Sequence, residues 1–471
     1  MLRCDGEPIP VTDRHASLLL FLASRAGTLI SKDALVLAGW GDVAVTDNSV
    51  EKAISALRRV LGRRADGGPY IETVPRRGYR FAGEVRRVAA RASPAAIEAF
   101  LAPQRVWLEG RAALETLERE QVVTAEQAFT QVLTAWPDDP PAHIGLANAG
   151  LFRFESTRVD PHPDTAALAG AQQHAHEACR LDPESAEAWA ALAFVLHNAG
   201  DPTGAVTAAR RAVSLETDNW RHHLRLAVVS WGEDRLRAAD HTLHLLPGLA
   251  LAHWLAATVH VARQAFDAAE RELDAGVTAQ DAQRGRPMRF GAVGLHWLRG
   301  LVRLYRGDAA AARDAFHREL TFEGAGHLYA RECCANTWYA LGALSARTGA
   351  RDEAIRAFDE TLRRVDGHLM ALAAKAVLLE NRDRTAIDRT IARRFVRPQN
   401  AAASVDEALA VAVQHAWEGQ PDRAAAVVQD AVARATPGAE GWVIPVEPML
   451  GVSARPDLWA SVLAALRTRA A

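Results

Sequence analysis

Two stretches of this chain carry one pattern: Gly300, Gly307, Ala312 and Phe316, then Gly342, Gly349, Ala354 and Phe358, at identical offsets. With Trp338 at position 4 of a 34-residue unit, Leu341, Gly342, Gly349, Ala354 and Phe358 fall at 7, 8, 15, 20 and 24. Trp189, Leu192, Ala193, Ala205 and Ala212 carry the same spacing earlier. Ala125, Phe129 and Pro137 mark a still earlier second helix, and Gly419, Ala424, Val428 and Ala431 a late one. Small residues let two helices approach closely, a bulky residue fills the gap to the next pair, and proline ends the unit. One such pair cannot bury its apolar face alone. Most of the chain is therefore constrained to a stack of helical pairs.

This spacing resembles the tetratricopeptide repeat. The resemblance implies a superhelix whose concave face, lined by the first helix of each pair, holds an extended peptide or a partner domain. Arg221, His222, Arg225, Arg299 and Arg303 are the candidates for that face. Most of the twelve tryptophans, such as Trp189, Trp254 and Trp338, occupy positions that a repeat core explains. Ser156 to Thr165 and Gln280 to Arg289 interrupt the pairs as loops. Trp442 through Leu466 reads as a closing segment that covers the last apolar face.

The first 92 residues break with this pattern. They hold 15 Lys and Arg against 10 Asp and Glu, whereas the remainder holds 40 against 47, so a net charge of −2 conceals a basic head on an acidic body. That polarity suits nucleic acid at one end only. Tyr70–Val74 and Tyr79–Phe81 read as half-strands around Pro75, Arg76, Arg77 and Gly78, a turn with two guanidinium groups at its apex. Ahead of it, Ser49 to Leu61 is helical by its period. Val50, Ala53, Ile54, Leu57, Val60 and Leu61 face a core; Lys52, Ser55, Arg59 and Arg63 lie opposite, and Asp47 or Asn48 is placed to cap the first turn. Asp13 to Ala26 reads as a helix stopped by Gly27, and Ser31 as the cap of another helix closing at Trp40-Gly41. Leu2 to Val11, with Asp5-Gly6 at its turn, reads as a hairpin.

Helix, helix, loop, helix and hairpin is the order of a winged helix-turn-helix. Leu29-Ile30-Ser31-Lys32, Gly39-Trp40-Gly41, Asn48-Ser49-Val50, Leu57-Arg58 and Ile71 through Phe81 closely resemble the OmpR/PhoB-type winged-helix DNA-binding family. That resemblance makes the helix from Asn48 a recognition helix, with Lys52, Ser55, Arg58 and Arg59 at positions that approach bases or phosphates. It places Thr73, Arg76 and Arg77 on a wing that enters the minor groove, and Trp40 near the phosphate backbone. Arg63 and Tyr79 complete the candidate set. The loop from Gly41 to Thr46 corresponds to one that can touch RNA polymerase. The family usually opens with a larger sheet than the hairpin seen here, so either a trimmed sheet suffices or the start is assigned late.

The expected fold is mainly α: a winged helix-turn-helix of three helices plus a β-hairpin wing over residues 1–87, a linker over 88–103, and a TPR-like α-solenoid over 104–471. Cys4, Cys179, Cys333 and Cys334 show no pairing pattern, no signal peptide opens the chain, and no apolar run is long enough to span a bilayer, which points to the cytoplasm. Ser49-Val50-Glu51-Lys52 has the Ser-x-x-Lys spacing but lacks the companion motifs of an acyl enzyme, and His174, His176 and Cys179 diverge on one helix. No enzyme, cofactor or metal is expected. A phosphoacceptor domain is not in evidence ahead of the head. The expectation is a one-component regulator, resembling HilA-like and CadC-like proteins, that binds promoter DNA, activates transcription, and uses its repeats to engage a protein, peptide or small ligand. It could act as a homodimer on DNA. The alternative is an adaptor whose winged helix does not bind DNA.

Overall fold

The computed structural model describes residues 2–4, 7–9, 13–40, 47–64, 66–75, 77–85, 94–283, 291–379 and 404–471. In the head, β1 (Leu2–Cys4) pairs antiparallel with β2 (Glu7–Ile9). Three helices follow: α1 (Asp13–Ser24), α2 (Lys32–Trp40) and α3 (Asp47–Leu61). Gly27 takes φ of +79° after α1, the left-handed geometry that ends a helix, and the Ser31 hydroxyl accepts from the Ala34 amide at 3.2 Å to cap α2. The cap expected from Asp47 or Asn48 rests on side chains outside the described residues.

The wing is β4 (Ile71–Val74) and β5 (Gly78–Phe81), and a strand missed in the sequence, β3 (Leu29–Ile30), pairs with β5 to give the order β3-β5-β4. Gly78 is dictated by this third strand: a Cβ there would lie 2.0 Å from the Ile30 carbonyl oxygen. Leu18, Leu22, Leu35, Val50, Ile54, Leu57, Ile71, Tyr79 and Phe81 form the head core. Val60, expected to face it, is instead exposed, because it lies at the edge of the apolar stripe of α3 where no described residue covers it.

The body is a run of antiparallel helix pairs. These are α4 (Pro94–Glu115) with α5 (Arg119–Ala135), α6 (Pro140–Thr157) with α7 (Thr165–Leu181), and α8 (Ala186–Asn198) with α9 (Pro202–Leu215). Then come α10 (Trp220–Val229) with α11 (Glu233–Leu245), α12 (Ala250–Ala262) with α13 (Phe266–Asp281), α14 (Leu295–Tyr305) with α15 (Ala309–Leu320), and α16 (Ala330–Arg347) with α17 (Arg351–Arg364). Next, α18 (Leu369–Leu378) packs beside a helix at Val405–Trp417, which pairs with one at Pro421–Arg434. Asp139, Asp164, Ser185, Asp201 and Asp308 each cap the following helix by accepting a backbone amide. The large side chains Phe129, Phe316 and Phe358 are fully buried between neighbouring helices. Helix α4 begins inside the stretch expected as linker.

The stack closes upon itself twice. The Leu328 amide donates to the Leu117 carbonyl at 2.7 Å, Arg331 pairs with Asp160 at 2.6 Å, and Arg158 pairs with Glu332 at 2.8 Å, which ties the turn before α16 to the ends of α4 and α6. At the C-terminus the helix Ala460–Arg469 returns to the middle of the body, where the Ala470 carbonyl accepts from Arg263 at 2.7 Å. Ahead of it, Trp442 meets Trp254 and Trp297 edge-on, and the 3-10 turn Ile444–Val446 packs against α12 and α14. The expected closing segment thus lies against first helices of the pairs. Of the two expected interruptions, 158–164 is a turn between α6 and α7; most of the other, 284–290, lies outside the described residues.

Candidate nucleic-acid interface

The surface of the head is organised by α3 and the wing. Lys52, Ser55 and Arg59 are exposed on the face of α3 opposite its buried stripe, and Arg63, just beyond the helix, is exposed too. Neither Lys52 nor Arg59 makes an ion pair with a described residue. Arg63 donates to the Gly67 carbonyl at 2.9 Å, which anchors the loop into the wing. Arg77 is exposed at the wing turn, its amide donating to the Val74 carbonyl at 3.0 Å; Arg76 lies outside the described residues.

Arg58 joins the two elements. Its Nε donates to the Ile71 carbonyl at 2.8 Å and its Nη2 to the Thr73 hydroxyl at 2.7 Å, so helix and wing are held in one register. Thr73 is exposed beside it. Tyr79 is 4% exposed and belongs to the head core. The remaining wing cations are countered locally. Glu72 pairs with Arg80 at 2.7 Å and with Arg64 at 3.3 Å, and the hydrogen bond from Arg80 holds its carboxyl below the usual range. Among the described residues of this surface, Lys52, Arg58, Arg59, Arg63 and Arg77 have no described carboxylate partner, and of these Arg58 and Arg63 are held by neutral acceptors.

Trp40 is half-buried between the head core and the body cluster of Trp220, Leu224 and Leu249, with the Arg14 guanidinium 5.4 Å from its ring centroid. The candidates on the body are engaged inside the fold. Arg221 pairs with Glu115 at 3.1 Å and stacks on Trp220, and His222 is 3% exposed beside Glu216 at 3.2 Å. Arg299 pairs with Asp274 at 2.6 Å and Arg303 with Glu270 at 3.5 Å. Arg225 donates to the Asn148 side chain at 3.3 Å and lies over the Phe194 ring at 4.2 Å; burial draws its guanidinium down to about 10. Sequence reasoning missed Arg14 and Ser49, whose partners are Glu216 and Asp218 in the body. No local pattern signals them.

An exposed basic helix face fixed beside a three-stranded wing defines a winged helix-turn-helix of OmpR/PhoB type, joined here to TPR-like helical pairs. Residues 6–81 match the family described as "Transcriptional regulatory protein, C terminal", and the head is homologous to the corresponding region of known regulators. It is 36% identical over 77 residues to the transcriptional activator CadC of Escherichia coli, covering 16% of this chain and 15% of that protein. It is likewise 36% identical over 73 residues to the transcriptional regulator HilA of Salmonella typhimurium, covering 16% and 13%. The match thus spans about a seventh of these curated relatives. Among solved structures, a human IFIT1 dimer with m7Gppp-AAAA aligns at 13% identity over 82% of this chain and 78% of that chain, with a TM-score of 0.48. A tetratricopeptide repeat protein from Parabacteroides merdae aligns at 13% identity over 56% and 93%, with a TM-score of 0.38. A likeness at these values carries no functional information. No helix among the described residues is long and apolar enough to cross a membrane.

Proposed function

We propose that this protein is a non-enzymatic, sequence-specific DNA-binding regulator of transcription. Residues 1–87 form the head, which reads promoter DNA, and residues 104–471 form a body that engages a partner or effector. One observation carries the reading: Lys52, Ser55 and Arg59 stand exposed on α3, and Arg58 locks that helix to a wing whose turn exposes Arg77. A helix in the major groove reads base edges, while flanking cations on phosphates add affinity that falls with salt. Activation, rather than repression, is supported by the relatives' names alone. On the body, Arg225 makes no ion pair with a described residue, so its charge is the one among these candidates left for an anionic group of an effector.

Selection of bound duplexes from random DNA by the full-length protein tests this. An enriched motif, with half-sites about 10 base pairs apart if a dimer binds, is the expected result. No enrichment and no retention at low ionic strength would leave the repeats as the working part of an adaptor.

A further inference from the structure

The head touches the body at an acidic corner, the turn between α9 and α10. Arg14, in the first turn of α1, pairs with Glu216. Ser49, in the first turn of α3, donates its hydroxyl proton to Asp218 Oδ2 at 2.8 Å. Between these contacts Trp40 packs on the apolar cluster around Trp220. Glu216 is set in place by the body itself, accepting from Asn219 Nδ2 at 2.9 Å and lying 3.2 Å from His222 Nε2. Burial opposes its ionisation, but the His222 hydrogen bond and the charge of Arg14 outweigh it and keep the carboxyl far below the usual range. The corner is a preformed anion, not a side chain that happens to lie near.

Its position on α3 matters. At 100° per residue Ser49 is about 60° from Lys52 and about 80° from Arg59, so the three share one side of the helix. The first turn of a helix also presents unbonded amides and the positive end of its dipole, which attract phosphate as readily as carboxylate. A duplex laid along Lys52 and Arg59 would bring its backbone to the end of the helix that Asp218 occupies. An acidic body held at that point repels the same phosphates.

We propose that the Glu216–Asp218 corner is an internal mimic of a DNA phosphate, which docks the head against the body and competes with duplex DNA for the start of the recognition helix. The proposal rests on the DNA-binding reading above and names the regulation of that site. Release of the corner is the activating step. Helix α10, which starts beside it, carries Arg221 and Arg225, so an occupant of that part of the body acts on the element that presents the acids.

The test is the affinity of the full-length protein for a fluorescent mixed-sequence duplex at low ionic strength, read by anisotropy. Glu216→Gln with Asp218→Asn should tighten binding by roughly tenfold, the factor that two half-exposed contacts can hold back. Ser49→Ala, which changes no charge, should tighten it in the same direction, and amides in the first turn of α3 should lose protection from hydrogen exchange in both variants. Asp352→Asn with Asp422→Asn is the charge control. Equal tightening by that control, or unchanged or weaker binding in Ser49→Ala, would overturn the proposal while leaving DNA binding intact. If neither the native chain nor any variant binds, the DNA-binding reading fails and this inference with it.

Discussion

Arg58 on α3 donates to the Thr73 hydroxyl on the wing at 2.7 Å, and the same guanidinium reaches the Ile71 carbonyl at 2.8 Å. One side chain thereby sets the angle between the two elements proposed to enter adjacent grooves. Arg58→Ala should weaken DNA binding at every salt concentration by more than the loss of a single phosphate contact. Arg58→Lys should rescue little, because a point charge on a flexible stem cannot reproduce a planar fork that donates in two directions. Anisotropy titrations of the three proteins decide it; full rescue by lysine would mean that only charge matters at this position.

The cations of the head divide into open and neutralised ones, and salt titration should separate them. Replacing Lys52, Arg59 or Arg77 by Ala should each reduce the slope of log affinity against log salt by up to about 0.9, the value for one phosphate contact on duplex DNA. Arg80→Ala should change it less, since Arg80 is paired with Glu72 at 2.7 Å. Equal slopes for all four variants would show that local pairing does not decide which charges meet the backbone.

The helical pairs were legible because their signal is local. Phe316 and Phe358 follow Gly300 and Gly342 at one fixed spacing, and in the structure each ring packs on its glycine. The buried face of α3 was likewise written in its period, apart from Val60 at the margin. What escaped was long-range pairing. Strand β3 is only Leu29–Ile30, and it exists because β5, some fifty residues on, hydrogen-bonds to it. The contacts of Arg14 with Glu216 and of Ser49 with Asp218 join residues 202 and 169 positions apart, a distance over which no periodicity carries information. The return of Trp442 and Ala470 to the middle of the body escaped for the same reason, since a closing segment announces that it covers something but not what.

Close packing at the repeat glycines gives a stability prediction. A Cβ on Gly342 would lie 2.5 Å from the Phe358 ring, which is 0% exposed and has no room to withdraw. Gly342→Ala should destabilise the body by about 1–3 kcal/mol, the usual cost of overpacking. Phe358→Leu in the same chain should recover part of that loss by vacating space beside the new methyl. Urea unfolding followed by circular dichroism measures both, and an unchanged midpoint in the single variant would show that the pair of helices can separate at no cost.

The return segment is fastened by a carboxyl group whose ionisation should make stability depend on pH. Tyr339 donates its hydroxyl proton to Glu447 Oε1 at 2.5 Å, and Glu447 Oε2 accepts the Met449 and Leu450 amides at 2.8 and 2.7 Å. Burial pushes the Glu447 carboxyl up to about 7, and these hydrogen bonds only partly offset it. In the unfolded chain the same group ionises near its ordinary value of 4.5, so between these values the folded protein holds a proton that the unfolded one has lost. The contribution of Glu447 to stability should therefore fall as pH rises through this window, by about 1.4 kcal/mol per unit and on the order of 3 kcal/mol in all, and level off above it. Glu319 and Glu155 are also raised by burial and add slope of the same sign, whereas burial draws the His368 imidazole down to about 4 and lowers His327 and His174, which add slope of the opposite sign. The part owed to Glu447 is isolated by Glu447→Gln, which does not ionise and should remove that falling component from the profile of urea midpoints between about pH 5 and about pH 8, so that the two profiles diverge as pH rises. Parallel profiles for the two proteins would show that Glu447 does not change its protonation on folding.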